Sequence, residues 1–254
     1  GKGGVGKTSI AVNLALMLAK AGRKVRLIDA DFGLSNAEVL LGVSPEYTLE
    51  DILMGKVDAR DAWEDCPGGV KLLSSGSGLE EMANADENIG PVLLRVIAES
   101  VDEGEIVVLD TAPGIDLAVS NALSLADEVL VVTTPEPTAI TDSYAALKVL
   151  MNHNPDSNVT LIANSCSSPA QAASVSQGLE TICKRFLGRS FQRYEYLPED
   201  PAVSWAIRNQ KPLALASSQS LVSTWLRRIA IKLDERMRQN YASKDMAGTL
   251  IAIR

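Results

Sequence analysis

The stretch GKGGVGKT, Gly1 to Thr8, constrains this chain more than any other. It fits the pattern G-x-x-x-x-G-K-[ST] in full, and each fixed position has a physical task. Glycines let backbone N–H groups converge on phosphate oxygens with no side chain in the way. On this pattern Gly3, Gly4, Val5, Gly6 and Ser9 are candidate nucleotide contacts, Lys7 pairs with the β- and γ-phosphates, and the Thr8 hydroxyl ligates Mg²⁺. The next residues, SIAVNLALMLAKAG, have the apolar spacing of a helix ending at Gly22. The loop therefore leads into a helix N-terminus, where the dipole favours an anion. A P-loop is ordinarily aimed by a strand just before it, and none precedes Gly1. The expectation is one domain over residues 1–254 whose first strand is missing upstream.

Short aliphatic runs alternate with helical patterns along the rest of the chain: 24–29, 70–73, 105–110, 128–133, 158–164 and 193–198. This βαβ alternation predicts an α/β fold with three layers, a mostly parallel sheet covered by helices on both faces. The composition agrees, because 46% of residues are hydrophobic and only 4% aromatic, as expected of aliphatic strands buried on both faces. Ligands in such sheets bind beyond the carboxyl ends of the strands. The residues there are polar: Asp29 and Asp31, Asp110 to Gly114, Glu136, Asn164, and Pro198 to Asp200.

Several function classes are disfavoured. Cys66, Cys166 and Cys183 lie far apart with no C-x-x-C or Cys/His spacing, so neither a disulfide framework nor a zinc site is indicated, and a reducing cytoplasm fits. No run of about 18 apolar residues exists to span a membrane. The net charge of −8 argues against broad contact with nucleic acid or acidic lipid. The lone His153 has no carboxylate or cysteine beside it in sequence and reads as a surface residue in a loop after a helix.

The sequence LIDADFGLSN sets Asp29 and Asp31 at a strand end facing the expected phosphates, where a Mg²⁺ ion would neutralise them; two ordinary turn aspartates are the alternative. VVLDTAPG adds Asp110, a Walker B aspartate leading into a loop that senses the γ-phosphate.

With these motifs in place the chain resembles the MinD/ParA family of deviant Walker ATPases, whose mark is an early lysine in K-G-G-x-G-K-[ST], here Lys2. The likeness extends through DADFGLSNAEVLLG, DTAPG, EPTAITDSYAALKVL, LIANS and LPEDPAVSWAIRNQKPL, and within the family it is greatest to the flagellar-number regulators of the FlhG/FleN branch, with MinD next. The resemblance implies ATP and Mg²⁺ as ligands, a homodimer formed on ATP, slow hydrolysis stimulated by a protein partner, and control of the position or number of a cellular structure. It implies that Lys2 reaches the partner subunit's nucleotide, that Asp31 orients the attacking water, that Thr8 holds Mg²⁺ with Asp29 and Asp110 supporting it through water, and that Asn164 and the backbone of Pro198, Glu199 and Asp200 hold adenine.

Three rival functions compete with this reading. A DNA-partitioning relative would need exposed cations, with Lys184, Arg185, Arg189 and Arg193, or Arg227, Arg228, Lys232, Arg236 and Arg238, as candidates. The second set lies on a helix where Leu221, Trp225, Ile229 and Leu233 form an apolar stripe, so a solvated basic face on a packed helix is the simpler reading and DNA the less favoured partner. A metal-cluster carrier would need paired interface cysteines. A scaffold without activity would need a broken catalytic set, and Lys2, Lys7, Thr8, Asp31 and Asp110 are intact. Residues 240–254 place Met246, Leu250 and Ile253 at helical spacing, so this end reads either as a tail contacting the inner face of the cell membrane or as a disordered terminus.

Overall fold

The computed structural model describes residues 4–31, 36–76, 89–112, 126–216, 219–241 and 249–254. Its frame is an eight-stranded sheet in the order β2-β3-β1-β4-β8-β5-β6-β7. The strands are β1 (Val25–Ala30), β2 (Glu64–Asp65), β3 (Val70–Leu73), β4 (Ile106–Thr111), β5 (Glu128–Thr133), β6 (Val159–Cys166), β7 (Arg193–Pro198) and β8 (Thr249–Ile253). Every pairing is parallel except the short edge contact of β2 with β3. All six aliphatic runs of the sequence form strands, each within two residues of its expected bounds.

Helices cover both faces. They are α1 (Lys7–Lys20), α2 (Ala37–Leu41), α3 (Leu49–Leu53), α4 (Ile89–Ser100), α5 (Pro137–His153), α6 (Pro169–Leu187), α7 (Pro201–Arg208), α8 (Leu213–Ala216) and α9 (Leu221–Tyr241). Strand residues alternate between two apolar clusters, as the period of two requires. Ile28, Val107, Leu109, Val131 and Leu161 pack with α3, α4, α5 and α6. Leu27, Val108, Leu130, Val132 and Ile162 pack with α1, α8 and α9 on the other face.

The C-terminal strand corrects the sequence reading. Thr249–Ile253 lies in the centre of the sheet between β4 and β5, in the slot expected for a strand leading into the P-loop, and all five of its residues are buried. Its register sets Ile253 beside Asp110 and Leu130, so β8 ends at the same sheet edge as the strand-end aspartate Asp110. Leu250 and Ala252 face one core, Ile251 and Ile253 the other. Residues 249–254 are therefore neither a disordered end nor an interfacial tail, and Leu250 and Ile253 are not offered to a lipid surface. Burial of unpaired backbone is costly, and this strand completes the ladders of both neighbours. The Arg254 N–H donates to the Leu130 carbonyl at 2.8 Å, and the Val132 N–H donates to the Arg254 carbonyl at 2.6 Å. Residues 242–248, with Met246 among them, lie outside the described residues. Among the described residues no helix is long and apolar enough to cross a membrane.

The stripe on α9 also differs from its expected form. Leu226, Ile229, Leu233 and Met237 are buried, but Leu221 is 57% exposed. Steps of four residues advance 400°, so a stripe read only in fours drifts about 40° per step off the packed face. The true stripe mixes steps of three and four. Likewise His153 is the last residue of α5, where Nδ1 lies 2.9 Å from the Val149 carbonyl.

Candidate nucleotide site

The P-loop turns into α1 through left-handed glycines, with φ at 100° in Gly4 and 95° in Gly6. The Gly6 carbonyl accepts the first helical bond from the Ile10 N–H at 2.9 Å, and Gly6 is the N-cap. Two constraints require glycine at position 6. Its φ strains any L side chain, and a Cβ there would stand 2.7 Å from Asn164 Nδ2. That amide approaches because it donates to the Val5 carbonyl at 2.8 Å. Asn164 is aimed at the loop by an irregularity in β6, where the register shifts between Ala163 and Cys166 and Ser165 takes φ of 52°.

Asp29 and Asp110 are register neighbours at the carboxyl ends of β1 and β4, both fully buried. Their surroundings differ. Asp29 Oδ1 accepts the Asp31 N–H at 3.1 Å, and Oδ2 accepts the N–H groups of Asn36 and Ala37, each at 2.9 Å. Asp29 thus organises the backbone on both sides of residues 32–35, which lie outside the described residues. Neither oxygen of Asp110 completes a hydrogen bond of good geometry. Burial pushes the Asp110 carboxyl up to about 8, and the negative charges of Asp29 and Asp31 push the same way, against the Thr8 hydroxyl and the Lys7 ammonium. Burial also lowers the pKa of Lys7, with Asp110 and then Asp31 opposing and Arg254 reinforcing the drop. Asp110, buried without a completed hydrogen bond and beside the Thr8 hydroxyl, offers the hard oxygen that suits Mg²⁺. Both Asp29 oxygens are already taken by backbone N–H groups, and among the described residues no three Asp, Glu, His or Cys side chains are set to hold a metal ion by themselves.

A pH effect follows. Between the ordinary value of 3.8 and about 8, the folded, ligand-free protein holds one more proton on Asp110 than the unfolded chain does. Stability contributed by this group is therefore complete at low pH and is lost as pH rises through that window, by at most about 1.4 kcal/mol per pH unit. In EDTA, Asp110→Asn is expected to gain thermal stability relative to the parent as pH rises from 5.5 to 8. A constant difference in melting temperature over that range would contradict the assignment.

Beside Asn164, β7 ends at Pro198, and the Glu199 N–H donates to the Cys166 carbonyl at 3.1 Å. Asp200 caps two helices, accepting from the Ala202 N–H through Oδ1 at 2.9 Å and from the Val222 N–H through Oδ2 at 3.2 Å. Its side chain is committed to holding α7 and α9 around the loop. Asn13, which sequence reasoning missed, ties α8 to the P-loop helix: its Oδ1 accepts the Ala214 N–H at 2.8 Å while Nδ2 donates to the Ser9 carbonyl at 2.7 Å. Thr111 was missed as well, and its hydroxyl donates to the Ile253 carbonyl at 2.9 Å, joining β4 to β8 at the site.

The structure thus brings Gly4 to Ser9, Asp29, Asp31, Asp110 and Asn164 to one edge of the sheet. Lys2 and Gly3 lie outside the described residues, as do Pro113 and Gly114 of the expected γ-phosphate loop. The basic candidates for DNA are largely engaged. Arg236 makes two bonds to buried Glu128, Lys232 grips Glu195, and Arg238 pairs with Asp234. Lys184 pairs with Glu180, and the Arg228 guanidinium stacks over Trp225. All three cysteines are buried free thiols, and burial raises the pKa of each.

A P-loop entering a helix beneath two strand-end aspartates in this sheet order defines a P-loop NTPase. The family model described as "AAA domain" matches residues 1–161. The antiactivator FleN of Pseudomonas aeruginosa is 37% identical over 234 residues, covering 92% of this chain and 84% of FleN. The flagellum site-determining protein YlxH of Helicobacter pylori is 34% identical over 187 residues, covering 72% of this chain and 62% of YlxH. Among solved structures, the septum site-determining protein MinD complexed with Mg-ADP from Pyrococcus horikoshii aligns with a TM-score of 0.75 at 24% identity, covering 93% of this chain and 94% of that one, a likeness of fold. The chain belongs to the MinD/ParA family of P-loop ATPases, on the side of its FleN/FlhG members.

Proposed function

We propose that the chain is a cytoplasmic ATP-hydrolysing switch that dimerises on ATP and sets the number or position of flagella. The observation that carries this reading is the similarity to FleN along 92% of the chain. In this reading the P-loop N–H groups and Lys7 hold the phosphates, Asn164 and the backbone of Pro198 to Asp200 border the adenine, and Thr8 holds Mg²⁺ with Asp29 and Asp110 behind it. Mg²⁺ would neutralise phosphate charge that builds up as the γ-phosphoryl group transfers. The Asp31 carboxylate orients water for in-line attack and takes up the proton that water releases. Lys2 would add positive charge from the partner subunit, as an arginine finger does. An activating protein partner would raise a slow basal rate.

Sequence similarity to the septum site-determining protein MinD of Thermotoga maritima, 36% identical over 170 residues, supports division-site control as the second reading. A cell lacking the gene distinguishes the two. Extra or misplaced flagella, restored to normal by the parent chain but not by Lys7→Ala, are expected. Minicells with normal flagella would favour the division-site reading.

A further inference from the structure

We infer that Ser75 is a positioning residue for Asp31, and that the Ser74–Ser75 pair at the end of β3 straps both ends of the segment running from Asp31 to Glu38. This inference rests on the proposed role of Asp31 in orienting water.

Ser74 and Ser75 follow the buried Leu72 and Leu73 and are themselves 1% and 0% exposed. Hydroxyls buried so completely are costly unless bonded, so their partners are informative. Ser75 Oγ donates to the Asp31 carbonyl at 3.2 Å, and Ser74 Oγ donates to Glu38 Oε2 at 2.8 Å. One hydroxyl therefore grips the start of the segment and the other its far side, on α2.

The strap is anchored from behind. The Ser74 and Ser75 carbonyls accept the N–H groups of Leu49 and Glu50, at 2.8 and 3.3 Å, in the first turn of α3. That turn is fixed in turn by a capping box between Thr48 and Asp51. Asp29 grips the same segment from β1, through the N–H groups of Asp31, Asn36 and Ala37. Asp31 is consequently held at its N–H by Asp29 and at its carbonyl by Ser75. With both peptide groups fixed, the direction of its Cα–Cβ bond is fixed too, and so is the space its carboxylate can sweep. A group that orients water loses much of its effect when displaced by about 1 Å. Ser75 touches neither phosphate nor water in this scheme; it acts through Asp31.

The test compares parent, Ser75→Ala, Asp31→Ala and the double variant. Ser75→Ala is expected to lower kcat for ATP hydrolysis about tenfold with KM and the affinity for a fluorescent ATP analogue within twofold of the parent, since one of two backbone holds remains. In the Asp31→Ala background the same serine change should have no further effect on kcat. Independently of turnover, amide exchange at Asp31, Asn36 and Ala37 in nucleotide-free protein should quicken several-fold in Ser75→Ala. A purely structural serine would lower the melting temperature and leave kcat unchanged. That result, or an equal kcat loss in the Asp31→Ala background, would overturn the inference while leaving Asp31 in its role. Parental turnover by Asp31→Ala would instead remove the reading of Asp31 and the inference with it.

Discussion

Lys7→Ala is expected to abolish measurable ATP binding. The ammonium lies at the start of α1 and feels Asp110 and Asp31, the two carboxylates that flank the proposed phosphate site. Removing it takes away a charge-assisted contact to phosphate and the positive charge that offsets Asp31 beside the incoming anion. A charged hydrogen bond contributes about 1.5–3 kcal/mol, and the repulsion adds to that, so the affinity should fall by a factor of about a hundred or more. The fold should persist, because the α1 core residues Ile10 to Leu18 are untouched. Calorimetric titration with Mg-ATP measures the loss, and retained affinity would move the phosphate site elsewhere.

Asp31→Ala separates binding from turnover. Asp31 is expected to orient water and not to hold phosphate, so ATP affinity should stay near the parental value while hydrolysis falls on the order of a hundredfold. The ATP-bound state should then persist. If Asp31→Ala lost ATP binding as completely as Lys7→Ala, Asp31 would belong to the metal site. Turnover at the parental rate would give the catalytic role to another residue.

The P-loop, Asp29, Asp31, Asp110 and the six aliphatic runs were legible because each is a local pattern: a glycine spacing, a strand-end carboxylate, a short apolar run between helical patterns. TLIAI was not. Five apolar residues fit a helix or a strand equally well by period, and Leu250 and Ile253 stand three apart, so only the vacant slot between β4 and β5 decides the outcome. Asn164 was legible as a strand-end polar residue, but its grip on Val5 depends on the twist at Ser165, which no local pattern announces. Asn13 and Ser75 carry no motif at all. Their partners, Ala214 and Asp31, lie 201 and 44 residues away, and such pairings exist only once the chain is folded. The basic face of α9 illustrates the converse: the cations were visible, while Glu128 and Glu195, which hold Arg236 and Lys232, arrive from strands a hundred and some forty residues earlier.

The switch is tested most directly by molar mass in solution, measured by light scattering with Mg-ADP and then with Mg²⁺ and a nonhydrolysable ATP analogue. A γ-phosphate that Lys2 of a second copy can reach is present only in the second sample. The 27.1 kDa chain should be monomeric with Mg-ADP and double its mass with the analogue, and Lys2→Ala should stay monomeric in both. A mass that remains at one chain with saturating analogue, or that doubles equally with Mg-ADP, would contradict the ATP-dependent dimer.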